Sequence, residues 1–418
     1  MRYILILIIT VFALFPNPSH TSAAESIVKV RLENYIKETS KITIQLEGDY
    51  ISLDPTLCII EGTAYDLIVK NGEMYLVGGG EIQKVNGTFV LVPTAYDESH
   101  ILSINDRSYL GAFEFQVENG KFIRPVNQLP LEDYLKGVVP YEVFPSWGIE
   151  TLKAQALAAR TYAVSHMNAE MDDTIQYQVY AGYDWSPSTT RAVEETKGEV
   201  ITYKGKLIDA FYSASNGGVT ESNANVWGGK SISYYPIKSD PYDPVNPWEY
   251  KLHRTQIDLS NIDWDRSSSW DELVEEDKEI TTTMKKWLAR QGYAGNIKIL
   301  SIPIFDISEE RFDSDRSVVG SISIHFLQKI IDGSVFYNEV KLENVKLNKI
   351  RPMIGGALFK SYLIDTLKEE NDHYIMKGRG YGHGVGMSQW GAHIMGKEGK
   401  NYKEILQFYF PGTDIIKY

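Results

Sequence analysis

The sequence predicts an α+β protein, in which a β-rich N-terminal module precedes a mixed α/β core that an inserted accessory segment interrupts. Up to about residue 122, β-favouring stretches such as KITIQL, MYLV, TFVLV and FEFQV alternate with Gly/Asn turns such as KNGE and ENGK, which is typical of a β-meander. The strongest helical pattern follows in SWGIETLKAQALAARTYAVSHM, where Ser146 is a candidate N-cap and an alanine-rich stripe allows close packing.

Shifts in composition divide the chain into five expected segments. They are a signal peptide (1–24), the β-rich module (25–122), a first part of the core (123–240), an accessory segment (241–347) and a second part of the core (348–418). The accessory segment contains the acidic run DELVEEDKEI, which we interpret as a solvated face. Near the C-terminus, NYKEILQFYF predicts a short amphipathic helix that starts at Asn401.

The net charge and the N-terminal residues limit the classes of protein to which this chain can belong. With 42 Lys and Arg against 55 Asp and Glu, the formal net charge is −13, which argues against electrostatic binding of nucleic acid or anionic lipid. Arg2, an apolar run over residues 3–15 and small residues at 22–24 predict a secretory signal peptide. The alternative is an uncleaved anchor, which would be the only membrane contact we expect. The single cysteine, Cys58, allows no intramolecular disulfide.

A glycine-rich stretch, KGRGYGHGVGMSQWGAH, occupies residues 377–393. It lacks the βαβ context of a dinucleotide loop and the Gly-Lys-Ser/Thr of a P-loop. His373, His383 and His393 are spaced ten residues apart, which is neither a helical nor a hairpin ligand spacing, so we expect no metal and no cofactor. Glycines let a ligand approach the backbone closely, and the stretch is interpreted as a wall for a neutral sugar. A tight β-hairpin with Trp390 in the core is the alternative.

The candidate acid lies elsewhere, in LPLEDYLKGVVPYEVFPSWGIETLKAQALAARTYA. Glu142 stands among apolar residues there, and burial in apolar surroundings raises the pKa of a carboxyl towards the range of a general acid. An ordinary glutamate near a helix start is the alternative. Lys153 and Arg160 are seven residues apart and share a helix face, so they could present two cations to one site. Alternatively, Lys153 pairs with Glu150 at i,i+3.

A third stretch, AFYSASNGGVTESNANVWGG, covers residues 210–229 and is polar without being strongly charged. Its serine hydroxyls and asparagine amides suit the hydroxyl and acetamido groups of a sugar. The chain contains no Gly-x-Ser-x-Gly elbow, which argues against a serine hydrolase.

These three stretches, in this order, resemble the stage II sporulation protein D and amidase enhancer family of bacterial wall proteins. The similarity runs from near Phe122 to about Trp248 and resumes from Arg351 to Asp414, which is roughly half of the chain. The resemblance implies a secreted, cell-wall-associated lytic transglycosylase that acts in sporulation or wall remodelling. Such enzymes cut denuded peptidoglycan glycan strands between N-acetylmuramic acid (MurNAc) and N-acetylglucosamine (GlcNAc) and leave 1,6-anhydro ends.

The resemblance places the family's catalytic glutamate at Glu142, acting alone as acid and then as base. It also implies that Lys153 and Arg160 line the pocket of this glutamate. The side chains that it implies in sugar binding are Tyr212, Ser215, Asn216, Tyr381, His383, Ser388 and Gln389. Some members carry cysteine and histidine where this chain has SASNGG and hold zinc there, so a structural zinc is not expected here.

The family includes a second class, the amidase enhancers, which are similar in sequence and non-catalytic. The alternative function is therefore a glycan-binding protein that stimulates a separate cell wall amidase. The partners implied are peptidoglycan glycan strands and, under the alternative, that amidase.

Overall fold

The computed structural model describes residues 26–57, 59–260, 262 and 269–418. The expected signal peptide and Cys58 lie outside these residues. The chain forms two compact units, the first comprising residues up to Tyr134 together with Ala169–Asp172, and the second comprising Leu135–Asn168 and Asp173–Tyr418. Taken together, the described helices and strands agree with the predicted α+β class.

The first unit is built from strands. They are β1 (Ile27–Arg31), β2 (Lys41–Glu47), β3 (Tyr50–Ser52), β4 (Ala64–Lys70), β5 (Glu73–Gly78), β6 (Glu81–Lys84), β7 (Phe89–Pro93), β8 (Ile101–Ile104), β9 (Arg107–Tyr109), β10 (Ala112–Glu118), β11 (Phe122–Pro130) and β12 (Met171–Asp172). Two sheets result, in the orders β12-β1-β11-β10-β7-β3 and β6-β5-β4-β2-β8-β9. Strand β2 contains KITIQL and buries every second residue, as the sequence pattern predicts.

The second unit contains most of the helical residues. The helices are α1 (Leu131–Glu142), whose first residues still belong to the first unit, α2 (Ile149–His166), α3 (Pro187–Glu195), α4 (Asn223–Trp227), α5 (Ser269–Glu272), α6 (Lys278–Arg290), α7 (Leu347–Ile354), α8 (Gln389–Lys397) and α9 (Tyr402–Tyr409). Among the described residues, none of the helices is both long and apolar enough to cross a membrane.

The strands of the second unit form four small sheets within the described residues. The strands are β13 (Glu199–Tyr203), β14 (Lys206–Leu207), β15 (Tyr212–Ser213), β16 (Pro247–His253), β17 (Asn296–Ile307), β18 (Val319–Lys329), β19 (Val335–Lys346), β20 (Leu363–Glu370), β21 (His373–Arg379), β22 (Met387–Ser388) and β23 (Asp414–Lys417). Their orders are β14-β13-β23, β15-β22, β16-β21-β20 and β17-β18-β19.

Helix α2 is the core helix that the alanine pattern predicts. Ala154, Leu157 and Ala158 are fully buried in one apolar cluster with residues of α8 and α9, so the small side chains let these helices approach closely. The predicted N-cap is wrong: the helix is capped by Gly148 without a side-chain hydrogen bond. Ser146 instead lies inside a turn, which is closed by the hydrogen bond from the Trp147 N–H to the Phe144 carbonyl at 2.9 Å.

Helix α9 confirms the prediction of a helix starting at Asn401. The Asn401 side chain accepts from the N–H groups of Lys403 and Glu404 at 3.0 and 3.1 Å. The Glu404 carboxylate in turn accepts from the Asn401 N–H at 2.9 Å. This reciprocal capping box satisfies the N–H groups that a helix start leaves without partners.

Part of the segment expected as an accessory insertion shares its apolar core with later residues. Strand β16 pairs along its whole length with β21, from Pro247–Arg379 to His253–His373. The cluster that includes Trp248 and Ile299 continues to Met376. The glycine-rich stretch, which begins within β21, is therefore fixed at one end by this segment.

Candidate active site around Glu142

Glu142 is the last residue of α1. On this helix Leu135, Val138 and Val139 are fully buried. At Gly137, a Cβ would lie 2.5 Å from the carbonyl oxygen of Gly182, so the missing side chain lets the following loop lie directly against the helix. The turn that precedes Gly182 consequently reaches the end of α1.

Three neutral groups face the Glu142 carboxyl. The Val179 N–H donates to Oε1 at 3.0 Å, and the side chains of Tyr212 and Gln389 lie close enough to favour the charged form of the carboxyl. The Tyr212 hydroxyl accepts from Gln178 Nε2 at 3.0 Å. Neutral donors orient a carboxyl and leave it free to exchange its proton.

Burial dominates the acid–base behaviour of Glu142. Desolvation raises its pKa from 4.5 to about 7, although the hydrogen bonds from Val179, Gln389 and Tyr212 oppose the rise. The side chain is only half-buried, so it remains open to a ligand. A carboxyl whose pKa is close to neutral can both give and accept a proton at physiological pH. This is the behaviour that the apolar neighbours in the sequence predict.

The two polar stretches of the sequence meet next to Glu142. Strands β15 and β22 pair in parallel, with Tyr212 opposite Met387 and Ser213 opposite Ser388. Two residues after Ser213, Ser215 exchanges backbone hydrogen bonds of 3.0 and 2.8 Å with Tyr381. This pairing carries Tyr212 and the adjoining Gln389 to the same carboxyl.

Three of the predicted sugar-binding residues donate hydrogen bonds to buried carboxylates of the protein itself. The hydroxyls of Ser215 and Ser388 donate to Asp243 at 2.8 and 2.6 Å. Asn216 donates to Asp243 from its backbone at 2.9 Å and to Asp240 from its side chain at 2.7 Å. All three side chains are buried. These contacts support a role in shaping the site; direct contact with sugar remains a prediction.

The glycines of the loop face this chain and not an open cleft. Gly384 has φ +76°, and a Cβ there would lie 2.1 Å from Nη2 of Arg316. Gly386 has φ +74°, and its Cβ would lie 2.1 Å from the Phe211 carbonyl oxygen. The interpretation of these two glycines as a wall for sugar is therefore wrong, because protein atoms fill the space. Their close approach instead fixes the loop against the buried Arg316 side chain.

His383 and Tyr381 lie on the outer part of this loop. The Val385 N–H donates to His383 Nδ1 at 3.0 Å, and the ring packs against Trp227 with centroids 5.2 Å apart. Burial lowers the pKa of His383 to about 4, so its imidazole is neutral at physiological pH. Tyr381 is 42% exposed and available to solvent.

His373 and His393 have other neighbours, and the described residues contain no group of His, Cys, Asp and Glu able to hold a metal ion.

Known proteins are similar to this chain in the region that contains Glu142. A family model described as Stage II sporulation protein matches residues 119–203, the range that contains Glu142 and α2. The amidase enhancer of Bacillus subtilis (strain 168) is 37% identical over 404 residues, which is 95% of this chain and 56% of that protein. An uncharacterized protein of Brachyspira hyodysenteriae is 34% identical over 330 residues, 76% of this chain and 74% of its own length. This chain belongs to the stage II sporulation protein D and amidase enhancer family.

The match extends to the sporulation protein itself. Stage II sporulation protein D of Bacillus subtilis is 29% identical over 314 residues, which is 69% of this chain and 75% of that protein. By contrast, the chain spans only 56% of the length of the amidase enhancer.

In this member of the family, the two cations expected near Glu142 have other partners. The Lys153 ammonium pairs with Glu195 at 2.6 Å and with Glu150 at 3.3 Å, which is the i,i+3 pair that the sequence left as an alternative. Arg160 is fully buried, and its Nη2 donates to the Val193 carbonyl at 2.9 Å. These contacts support structural roles for Lys153 and Arg160 within the protein. That either cation lines the pocket of Glu142 remains a prediction.

Sequence reasoning missed an aromatic group beside Glu142, which we call the aromatic ledge and define as Phe144, Trp147, Trp390 and His393. Trp147 lies 5.4 Å from Phe144 and 5.1 Å from Trp390 between ring centroids. It also stacks on His393 at 4.4 Å with an interplanar angle of 16°. The signal was present in the family motifs, since Phe144 follows Glu142 closely and Trp390 follows Gln389, but only the fold brings the two motifs together.

Proposed function

We propose that this protein is a lytic transglycosylase of bacterial peptidoglycan that cleaves the MurNAc–GlcNAc bond and leaves a 1,6-anhydro-MurNAc end. The observation that carries the proposal is the Glu142 carboxyl, held by neutral donors with a pKa raised to about 7. Family membership supports a role connected with the cell wall. Export to the wall is part of the same proposal.

A single carboxyl is sufficient for this reaction. Protonated Glu142 gives its proton to the glycosidic oxygen as the bond to the MurNAc anomeric carbon breaks. The resulting carboxylate takes the proton of the MurNAc C6 hydroxyl, and O6 forms the new bond to the anomeric carbon. The acid is regenerated and no water is consumed. Ordinary glycosidases instead need a second carboxylate to activate water or to form a covalent intermediate.

The neutral donors around Glu142 have distinct tasks in this mechanism. The Val179 N–H fixes Oε1, so the proton is presented from the other carboxyl oxygen. Tyr212 and Gln389 stabilise the carboxylate after proton transfer, since their hydrogen bonds favour the charged form. Burial has the opposite effect, and the balance leaves both protonation states accessible near neutral pH.

The test is product analysis with purified protein and denuded glycan strands. We expect 1,6-anhydro-MurNAc ends from the wild type and none from Glu142→Gln, which keeps the shape of the side chain but cannot cycle a proton. Glu276→Gln is the matched control, because Glu276 is exposed and its loss should leave product formation unchanged. If folded wild-type protein produces no anhydro ends, the proposal that it is a lytic transglycosylase is refuted. Persistence of those ends in Glu142→Gln would refute the residue assignment.

A second candidate function is stimulation of a cell wall amidase without glycan cleavage. The observation that favours it is the 37% identity to a protein named Amidase enhancer over 95% of this chain. Its test mixes the protein with a purified wall amidase and measures the release of stem peptides from sacculi. Stimulation that survives Glu142→Gln, with no anhydro ends in either sample, would favour the enhancer.

A further inference from the structure

We infer that the aromatic ledge, formed by Phe144, Trp147, Trp390 and His393, binds a sugar ring of the glycan strand whose bond is presented to Glu142. The inference rests on the proposed function and adds to it the residues that hold the substrate. A neutral N-acetylated pyranose is the ligand class, which in this strand is the GlcNAc ring.

The ledge is rigidly connected to the acid through both of its chain segments. Phe144 lies two residues after Glu142, and the Trp147 N–H closes the turn over residues 144–147 on the Phe144 carbonyl at 2.9 Å. On the other segment, Trp390 directly follows Gln389, whose side chain lies close enough to Glu142 to favour its charged form. A ring bound on the ledge would therefore lie next to the carboxyl.

The ledge is open to solvent although it is strongly apolar. Phe144 is 58% exposed, and Trp147 and Trp390 are half-buried. The rings of Phe144, Trp147 and Trp390 are tilted or edge-on to one another, with Phe144 and Trp390 6.1 Å apart between centroids. A cluster of large aromatic side chains kept partly exposed beside a catalytic group is typical of a binding surface and is costly to leave in water.

The chemistry of the ledge selects a neutral ligand with both apolar and polar edges. The faces of a pyranose ring carry C–H groups that pack on aromatic rings, while its rim carries hydroxyl and acetamido groups. His393 lies flat on Trp147, and its Nδ1 has no hydrogen-bond partner among the described residues. Burial lowers the pKa of His393, so the ledge carries no charge there at neutral pH.

The test measures binding of insoluble denuded glycan strands by co-sedimentation, with every variant built in the Glu142→Gln background so that no turnover occurs. Phe144→Ala should weaken binding several-fold to about tenfold, the loss expected for one aromatic contact. Phe144→Trp retains a ring and should restore binding. Phe336→Ala is the matched control, because Phe336 is 50% exposed on β19 and is not part of the ledge.

Each outcome decides the inference. It stands if Phe144→Ala alone loses affinity while its melting temperature is unchanged. It is overturned if Phe144→Ala binds like the parent, if Phe336→Ala loses as much, or if the parent binds no glycan. It is also overturned if Phe144→Ala binds glycan normally but loses stimulation of an amidase, since the ledge would then contact protein. Anhydro ends from the wild type are scored separately: their absence refutes the transglycosylase and leaves the binding result valid.

Discussion

The backbone N–H of Val179 donates a hydrogen bond of 3.0 Å to Oε1 of Glu142. This contact ties the candidate acid to the loop that crosses Gly137, where the missing Cβ allows close packing. One carboxyl oxygen is thereby fixed by the backbone, and the remaining acid–base chemistry is left to the other. The motif around Glu142 thus contains the candidate acid and Gly137, which lets the loop that carries Val179 lie close to it.

Product formation should fall as pH rises through about 7. The first step needs protonated Glu142. Burial raises the pKa of this carboxyl to about 7, so the active form is lost above that pH.

The variant Tyr212→Phe removes a hydroxyl that favours the carboxylate, and the pKa of Glu142 should rise further. The midpoint of the pH–rate profile should therefore move to higher pH. Tyr337→Phe, on an exposed side chain, should leave the midpoint in place; an unshifted midpoint in Tyr212→Phe would contradict the assigned contact.

Stability should depend on pH through the same carboxyl. The pKa of Glu142 is about 7 in the folded protein and about 4.5 when unfolded, so the folded state binds more protons between these values. Stability is therefore greatest below about pH 4.5 for this group and is lost as pH rises through about 7. Glu142→Gln removes this dependence. We expect the free energy of unfolding of Glu142→Gln, relative to that of the wild type, to increase as pH rises from 5 to 8. Denaturant titration measures both values. Parallel pH curves would contradict the burial of this carboxyl.

Gly384→Ala should unfold more readily than the wild type. The new Cβ would lie 2.1 Å from Nη2 of the buried Arg316 at φ +76°. Gly399→Ala is the matched control, since Gly399 has φ +85° with no atom within 4 Å of an added Cβ. The control should lose about 1–3 kcal/mol from backbone strain alone. Gly384→Ala should lose more, in chemical denaturation. Equal losses would show that Arg316 moves aside without cost.

Asp243→Asn should destabilise the site from within. Asp243 accepts hydrogen bonds from Ser215, Asn216 and Ser388, and an amide would place a donor where an acceptor is required. An unmet buried hydrogen bond costs about 1–3 kcal/mol, and more when a charge is involved. Denaturant midpoints measure the loss, with the exposed Asp313→Asn as control. A variant as stable as Asp313→Asn would show that the buried network contributes little.

Local patterns in the sequence were sufficient for two helices whose residues favour a helix in their own segment. The Asn401 helix follows from a capping box that lies within four residues, and α2 follows from its alanine-rich stripe. Helix α1 was not predicted, because Pro140 and Gly137 lie inside it and both disfavour helix in isolation. Its stability comes from tertiary packing, which the local pattern does not contain.

The candidate site shows the same division. The raised pKa of Glu142 could be expected from its apolar neighbours in the chain. The glycines could not be assigned correctly, because a close approach to Arg316 and a close approach to a ligand require the same residue type. The aromatic ledge depends on Trp147 meeting Trp390, two residues that are far apart in sequence and are joined only by the fold.

Digestion of denuded glycan strands in heavy-oxygen water, followed by mass spectrometry of the new MurNAc ends, tests the central claim most directly. Internal attack by O6 takes no oxygen from solvent, so the wild type should yield anhydro ends that carry no heavy oxygen, and Glu142→Gln should yield none. New reducing ends that carry heavy oxygen would identify a hydrolase and contradict the proposed single-carboxyl mechanism.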